Sequence, residues 1–415
     1  MSKFGTRVSL FLFTLGRSDM DSGNVDDIDE SGLDFDEADI VEVIEVEGDG
    51  LAENLDDIEI EGDDATGGVT DDSFVVFTQH TDAVFTVDID KKSCDLVITG
   101  GQDDQAFVWS SSTGEQLMEC KGFKDSVTCA GFSPDGSMVA MADISGVIRV
   151  FNIETKKEVW SFECSDTEWL QWHPVANVLL LGTADGDVWM WKIPSGDCKT
   201  FQGPGFTANT GRILPDGKRL CVGYDTGLVK IWDLKDANTI HSFNPGREGH
   251  SSTVVCMDCH HDNKTIMTGS TDVTCKLYNS NTGKLLGTLD CTDKDSTDDN
   301  SVESCGFSKV QNYAATVTLL GKLTIWDVPS QTARNVCQHQ AGIVKLRWDT
   351  SSPLVYTACL DGIIRLWDAR NGQCVTQWSG HQDAILDFDI SKDGNKLVSV
   401  SEDNSARVFS LHTPD

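Results

Sequence analysis

From Ser73 onward, apolar and polar side chains alternate in short runs, as in Val188-Trp189-Met190-Trp191 and Ile363-Ile364-Arg365-Leu366-Trp367. A two-residue period puts successive side chains on opposite faces of a strand. The pairs Asp135-Gly136, Asp185-Gly186, Asp216-Gly217, Asp361-Gly362 and Asp393-Gly394 separate the runs and supply the turn chemistry of antiparallel hairpins. No long stretch has the 3.6-residue period of a helix. An aromatic residue closes each unit, at Trp109, Phe151, Trp191, Trp232, Tyr278, Trp326, Trp367 and Phe409, with intervals of 42, 40, 41, 46, 48, 41 and 42 residues. That spacing holds four short strands per unit. The pattern therefore predicts an all-β chain, an eight-bladed β-propeller over residues 73–415.

Ring closure is readable in the same pattern. A further strand follows each of the first seven closing aromatics, such as Gln116-Leu117-Met118-Glu119-Cys120, but only six residues follow Phe409. The last blade thus lacks its outer strand. The segment Phe74-Val75-Val76-Phe77, which precedes the first full unit, is predicted to pair beside the strand ending at Phe409 and cover an exposed edge.

Charge changes the picture before Ser73. Residues 18–72 hold 23 Asp or Glu and no Lys or Arg, and acids alternate with aliphatics in Glu42-Val43-Ile44-Glu45-Val46-Glu47. Self-repulsion opposes the collapse that would offset ordering entropy, so residues 1–72 read as a disordered acidic tail. Lys3 and Arg7 before Val8-Ser9-Leu10-Phe11-Leu12-Phe13 imitate a signal peptide, but the apolar run is short and no cleavage motif follows. Nothing approaches a transmembrane helix. The whole chain carries a formal charge of −35, which repels phosphate backbones and argues against direct nucleic-acid binding. Fourteen cysteines without a clustered framework fit reduced thiols, and the expected location is cytoplasmic or nuclear.

The units resemble WD repeats through Trp-Asp at 232–233, 326–327 and 367–368, Gly-His at 249–250 and 380–381, and an Asp six places before the closing aromatic at Asp103, Asp185, Asp272, Asp361 and Asp403. The resemblance implies a buried network in which His80, His250, His339 and His381 join these Asp residues, a Ser or Thr and the closing aromatic. Only the units ending at Trp109 and Trp367 combine His, Asp and Trp. The units ending at Phe151, Trp232 and Trp326 lack both His and Asp at those places. Recurrence of one Ser/Thr-His-Asp set across several units marks a packing motif, not a hydrolase triad. Cys256-Met257-Asp258-Cys259-His260 imitates a metal motif, yet on a strand an offset of three sends its cysteines to opposite faces. No phosphate-loop, zincin or nucleophile-elbow motif occurs, so no enzymatic activity, cofactor or metal is expected.

The same resemblance implies that residues three and five places after the network His, and the one before the Asp, point outward around the channel mouth. Asp166, Glu168, Asp225, Glu303 and Glu402 fall there, with no Lys or Arg among those positions. The connector 290–301 adds Asp293, Asp295, Asp298 and Asp299 on that face. Phe85 and Trp169 are expected to form an aromatic wall that stacks on guanidinium groups. Such a mouth selects an Arg- or Lys-rich protein segment, bound to a monomer.

Beyond the repeat, Gly101-Gln102-Asp103-Asp104-Gln105-Ala106-Phe107-Val108-Trp109, Lys124-Asp125-Ser126-Val127-Thr128-Cys129-Ala130-Gly131-Phe132, and Gly196-Asp197-Cys198-Lys199-Thr200-Phe201-Gln202-Gly203-Pro204 resemble the angio-associated migratory cell protein family from about residue 73 to 410. This implies a dedicated chaperone that holds a newly made large-subunit ribosomal protein, the L-ten protein, by its basic N-terminus on the acidic face. A signalling scaffold linked to cell migration and angiogenesis is the alternative.

Overall fold

The computed structural model describes residues 70–293 and 298–411. The expected tail up to residue 69, the signal-like segment and Asp295 lie outside the described residues. The described chain forms eight four-stranded antiparallel sheets. Each sheet is one blade, with its first strand innermost and its fourth outermost. Blade 1 is typical: Val84–Ile89, Leu96–Gly101, Ala106–Ser110 and Gln116–Cys120 hydrogen-bond in that order. Gly136 and Gly217 in two of the Asp-Gly turns have φ of 66° and 65°, a left-handed backbone that residues with a Cβ adopt at a cost.

Blade 8 is completed from the other end of the chain. Val75–Phe77 pairs antiparallel with Ala406–Ser410, with Val75 opposite Val408 and Phe77 opposite Ala406. Phe77 also stacks on Trp109 of blade 1, 4.7 Å between ring centroids at 5°. The N-terminal strand therefore closes blade 8 and seals it to blade 1. Asp72 Oδ2 accepts from Ser379 N at 2.7 Å, while Arg407 pairs with Asp71. Ala406–Ser410 is therefore not left as an open edge.

Apolar clusters fill the gaps between neighbouring blades: Met138, Ala140 and Ile148 of blade 2 meet Leu179, Leu181 and Trp191 of blade 3, for example. Full burial of such a side chain stabilises by about 1.5–3 kcal/mol, so each blade depends on its neighbours. Polar staples add directionality along the channel. Asp88 Oδ2 accepts from Phe132 N at 2.8 Å, Gln171 Oε1 from Ile213 N at 3.1 Å, and Asp258 Oδ2 from Phe307 N at 2.9 Å. Each joins one inner strand to that of the next blade.

One irregularity positions the mouth. Seven of the eight inner strands shift register after their first residue, leaving Phe85, Thr128, Glu168, Val255, Glu303, Val344 and Leu386 as the extra residue of a β-bulge. A bulge rotates the local chain and re-aims the side chain at that point. These seven sit at the start of the strand nearest the axis, beside the end of the second strand. They form a ring on the end of the propeller that also carries the loops between blades.

Candidate functional site at the channel mouth

The buried networks separate the blades into classes. His80 Nδ1 lies 3.1 Å from Asp103 and its Nε2 3.0 Å from Thr99 Oγ1 in blade 1. In blade 5, His250 contacts Asp272 at 3.0 Å and Thr268 Oγ1 at 2.7 Å; in blade 8, His381 contacts Asp403 at 2.9 Å and Ser399 Oγ at 2.7 Å. All three His side chains are fully inaccessible, so none of these sets can reach a substrate. Burial raises the Asp272 and Asp403 carboxyls, but the bonds and charge of their His partners outweigh it and hold both well below the usual carboxylate range.

The set expected in blade 7 is assembled differently. His339 Nδ1 lies 3.1 Å from Cys359 Sγ, whereas Asp361 pairs with Arg365 at 2.7 Å. The network hydroxyl, Thr357, is present, but the His ring turns its Nδ1 to the Cys359 thiol and Arg365 takes the carboxylate. Burial and the nearby Arg365 push His339 down to about 4, so it is neutral. Trp367 Nε1 still donates to Thr357 Oγ1 at 3.1 Å.

Blade 2 uses a residue that sequence reasoning missed. Asp143, fully buried and eight places before Phe151, accepts from Lys124 N and Val147 N, each at 2.8 Å, and from Ser145 Oγ at 2.9 Å. One carboxylate two positions early ties together the loops that a His-Asp pair ties in blade 1. In the imitation motif, Cys256 packs into the cluster shared by blades 5 and 6, and Cys259 into the one shared by blades 4 and 5.

The expected acidic positions divide by sector. Asp166 is exposed, and Glu168 and Asp225 are half-buried, at the mouth of blades 3 and 4. Their loops are tied in succession, since Ala184 N donates to Asp166 O at 2.9 Å, Ala208 N to Thr183 O at 3.1 Å, and Asp225 N to Thr207 O at 3.1 Å. Burial first, then the charges of Asp166 and Asp225, raise the Glu168 carboxyl to about 7. Asp225 Oδ1 and Asn209 Oδ1 are buried oxygens without a donor among the described residues.

Glu303 occupies the bulge of blade 6, where burial raises its carboxyl against a hydrogen bond from Ser301 Oγ. Asp293 is half-buried and Asp298 and Asp299 are exposed on the connector leading into that strand. Glu402 is half-buried in blade 8, its amide donating to Ala384 O at 3.0 Å. Among the described residues no Lys or Arg forms an ion pair with Asp166, Glu168, Asp225, Glu303 or Glu402. Cations near this face are taken elsewhere: Lys124 by Glu163, Arg365 by Asp361, Arg407 by Asp71.

The aromatic wall is a correction. Trp169 is 8% exposed and slotted between blades 3 and 4, where a Cβ on Gly182 or Gly211 would lie 2.1 Å from its ring. It follows the bulge, which sends Glu168 to the mouth and returns the next side chain to the core. Phe85 is at a bulge, but Ala83 and Leu386 cover it to 2% exposure. The aromatic that this sector does present is Phe206, 47% exposed, one residue before the Thr207 that holds the Asp225 loop. A Pro204-Gly205 turn before it was the available sequence signal.

This geometry can be set beside known proteins. The model for "WD domain, G-beta repeat" matches residues 114–152, 238–279, 331–368 and 372–410. The human angio-associated migratory cell protein is 50% identical over 354 residues, which cover 83% of this chain and 81% of that protein. The Saccharomyces cerevisiae ribosome assembly protein Sqt1 is 23% identical over 409 residues, 89% of this chain and 93% of its own. A crystal structure of Chaetomium thermophilum Sqt1 bound to the N-terminus of the ribosomal protein L10 superposes with a TM-score of 0.74 at 21% identity, covering 82% of this chain and all (100%) of that one.

Proposed function

The chain belongs to the family of the angio-associated migratory cell protein, and on that premise we propose that it is a non-enzymatic binding protein that holds a basic segment of a newly made ribosomal protein at its acidic mouth. The observation that carries this reading is the cluster Asp166, Glu168 and Asp225, which has no cation partner among the described residues and where burial first, then the two neighbouring carboxylates, raise Glu168 to about 7. Packing carboxylates this way is unfavourable until a guanidinium or ammonium enters, so part of the binding energy is the relief of that repulsion. The Sqt1 relative bound to the L10 N-terminus supports a ribosomal protein as the ligand. Release then follows when a stronger polyanion, ribosomal RNA, competes for the same Arg and Lys side chains. The proposed place of action is the cytoplasm, where ribosomal proteins are synthesised.

The name of the human relative favours a second reading, a scaffold in cell migration. A scaffold would use the blade sides and tolerate charge changes at the mouth. Affinity purification of the tagged protein, with and without a brief block of translation and at two salt concentrations, separates the two. One free ribosomal protein that fades with the block and with salt supports the chaperone. Membrane or cytoskeletal regulators insensitive to both would overturn it.

A further inference from the structure

The mouth has a second half that charge does not explain. The blade positions that hold Glu168, Asp225 and Glu402 in blades 3, 4 and 8 hold Val344 and Leu360 in blade 7 and Leu319 in blade 6. Leu320 stands where blades 1, 5 and 8 carry the network Asp, and its amide is capped by Asn300 Oδ1 at 3.2 Å. All four are half-buried. The loops also meet: Leu360 N donates to Gly342 O at 2.9 Å, and a Cβ at Gly342 would fall 2.9 Å from Leu360 Cδ1 and 2.4 Å from Leu319 O. The fold does not require leucine at 319 and 360, since other blades meet the same backbone with Gln102, Ala184, Thr271 or Glu402; the bulge position of Val344, by contrast, is apolar in blades 1, 5 and 8 as well. The adjoining charges, Asp361 and Arg365, neutralise each other at 2.7 Å.

We propose that the mouth is bipartite: its acidic arc on blades 3, 4 and 6 takes Arg and Lys side chains, and the apolar arc on blades 6 and 7 takes aliphatic or aromatic side chains of the same segment. The inference rests on the basic-ligand reading and adds the partner's second property. The arcs join at blade 6, where Leu319 N donates to Ser301 O at 3.1 Å and Ser301 Oγ bonds Glu303. Blade 6 thus carries a position of each kind. Charge attracts and orients the segment; the apolar contacts hold it where salt screens charge.

The test uses the full-length protein and two fluorescent peptides of equal positive charge, one with Leu and Tyr between its basic residues and one with Ser in their place. Anisotropy titrations at low and high salt are expected to show the apolar peptide binding about tenfold tighter at both. Combining Leu319→Ser with Leu360→Ser should remove that difference and leave the salt dependence intact. Equal affinity of both peptides for the wild-type protein overturns the bipartite mouth and spares the basic-ligand reading, a comparison that needs no variant to fold. Binding of neither peptide at low salt overturns the basic-ligand reading and the bipartite mouth with it. A dimer in sedimentation that Leu360→Ser dissolves would show a second copy as the occupant and overturn the proposal.

Discussion

Carboxylates do opposite work in blades 5 and 8 and at the mouth of blades 3 and 4. Asp272 and Asp403 sit among donors already in place: a His ring, a backbone amide and a hydroxyl. They are held ionised, and their role ends inside the blade. Glu168 is half-buried with no such donor among the described residues, and burial first, then the charges of Asp166 and Asp225, raise its carboxyl to about 7. Residue type and burial are similar in the two places. What differs is whether the fold supplies the countercharge, and a site where it does not is one that a ligand can complete.

The strongest way to break that contrast is to reverse the mouth. Replacing Glu168, Asp225 and Glu303 together by Lys turns attraction of a basic peptide into repulsion. Affinity is expected to fall on the order of a thousandfold, since like charges at an interface cost several kcal/mol. The melting temperature shows whether the fold tolerates the three lysines, so the affinity loss is read on protein that still unfolds cooperatively. Titration calorimetry against a basic peptide, paired with thermal unfolding, reads both; unchanged affinity would mean that the mouth is only a solvated rim.

The converse change belongs in the blade. Asp272→Ala leaves His250 and the Ser251 and Thr274 groups without their acceptor, and a loss of about 3 kcal/mol is expected in denaturant unfolding, with peptide affinity nearly constant. Blade 7 sharpens the point. His339 is neutral and its Nε2 has no hydrogen-bond partner among the described residues, so His339→Leu should cost less than about 1 kcal/mol where His250→Leu costs more. Equal costs would show that the His–Asp pair adds nothing beyond packing.

The fold was legible because it repeats: the 40- to 48-residue spacing of closing aromatics and the unemployed Phe74–Phe77 segment fixed blade number and closure without any tertiary knowledge. The acidic positions were legible as well, since charge on loops survives small errors of orientation. Orientation on the inner strand was not. Trp169 was expected at the mouth because it stands beside Glu168 in sequence, and the bulge at Glu168 with the burial of the indole places it in the core instead. Asp143 was hidden by a two-residue displacement, and the failure of His339 to find Asp361 depends on Arg365, four places away from that carboxylate, which no repeat pattern encodes.

Acidity offers a finer probe of the same contrast. With its carboxyl near 7, Glu168 goes from roughly one-tenth ionised at about pH 6 to roughly nine-tenths at about pH 8. Only the ionised form attracts a cation, so basic-peptide affinity should rise with pH, by up to about tenfold, over a range where Asp272 and Asp403 remain ionised throughout. In Glu168→Gln the profile should flatten at the low-pH affinity. A rise of the same size in that variant would place the titrating group elsewhere.

The smallest effect is expected from the rim aromatic. Phe206, unlike the buried Trp169, is free to lie against a guanidinium held by Asp225, and an exposed cation-π contact contributes about 0.5–1 kcal/mol. Phe206→Ser should therefore weaken an Arg-rich peptide about two- to fivefold and a Lys-rich one less, because the planar guanidinium stacks and the ammonium does not. Fold stability should be unaffected, as the ring contributes little to the core. Equal losses for the two peptides would assign Phe206 to loop shape rather than to stacking. The acidic sector would then act on net charge alone, with no means of telling arginine from lysine.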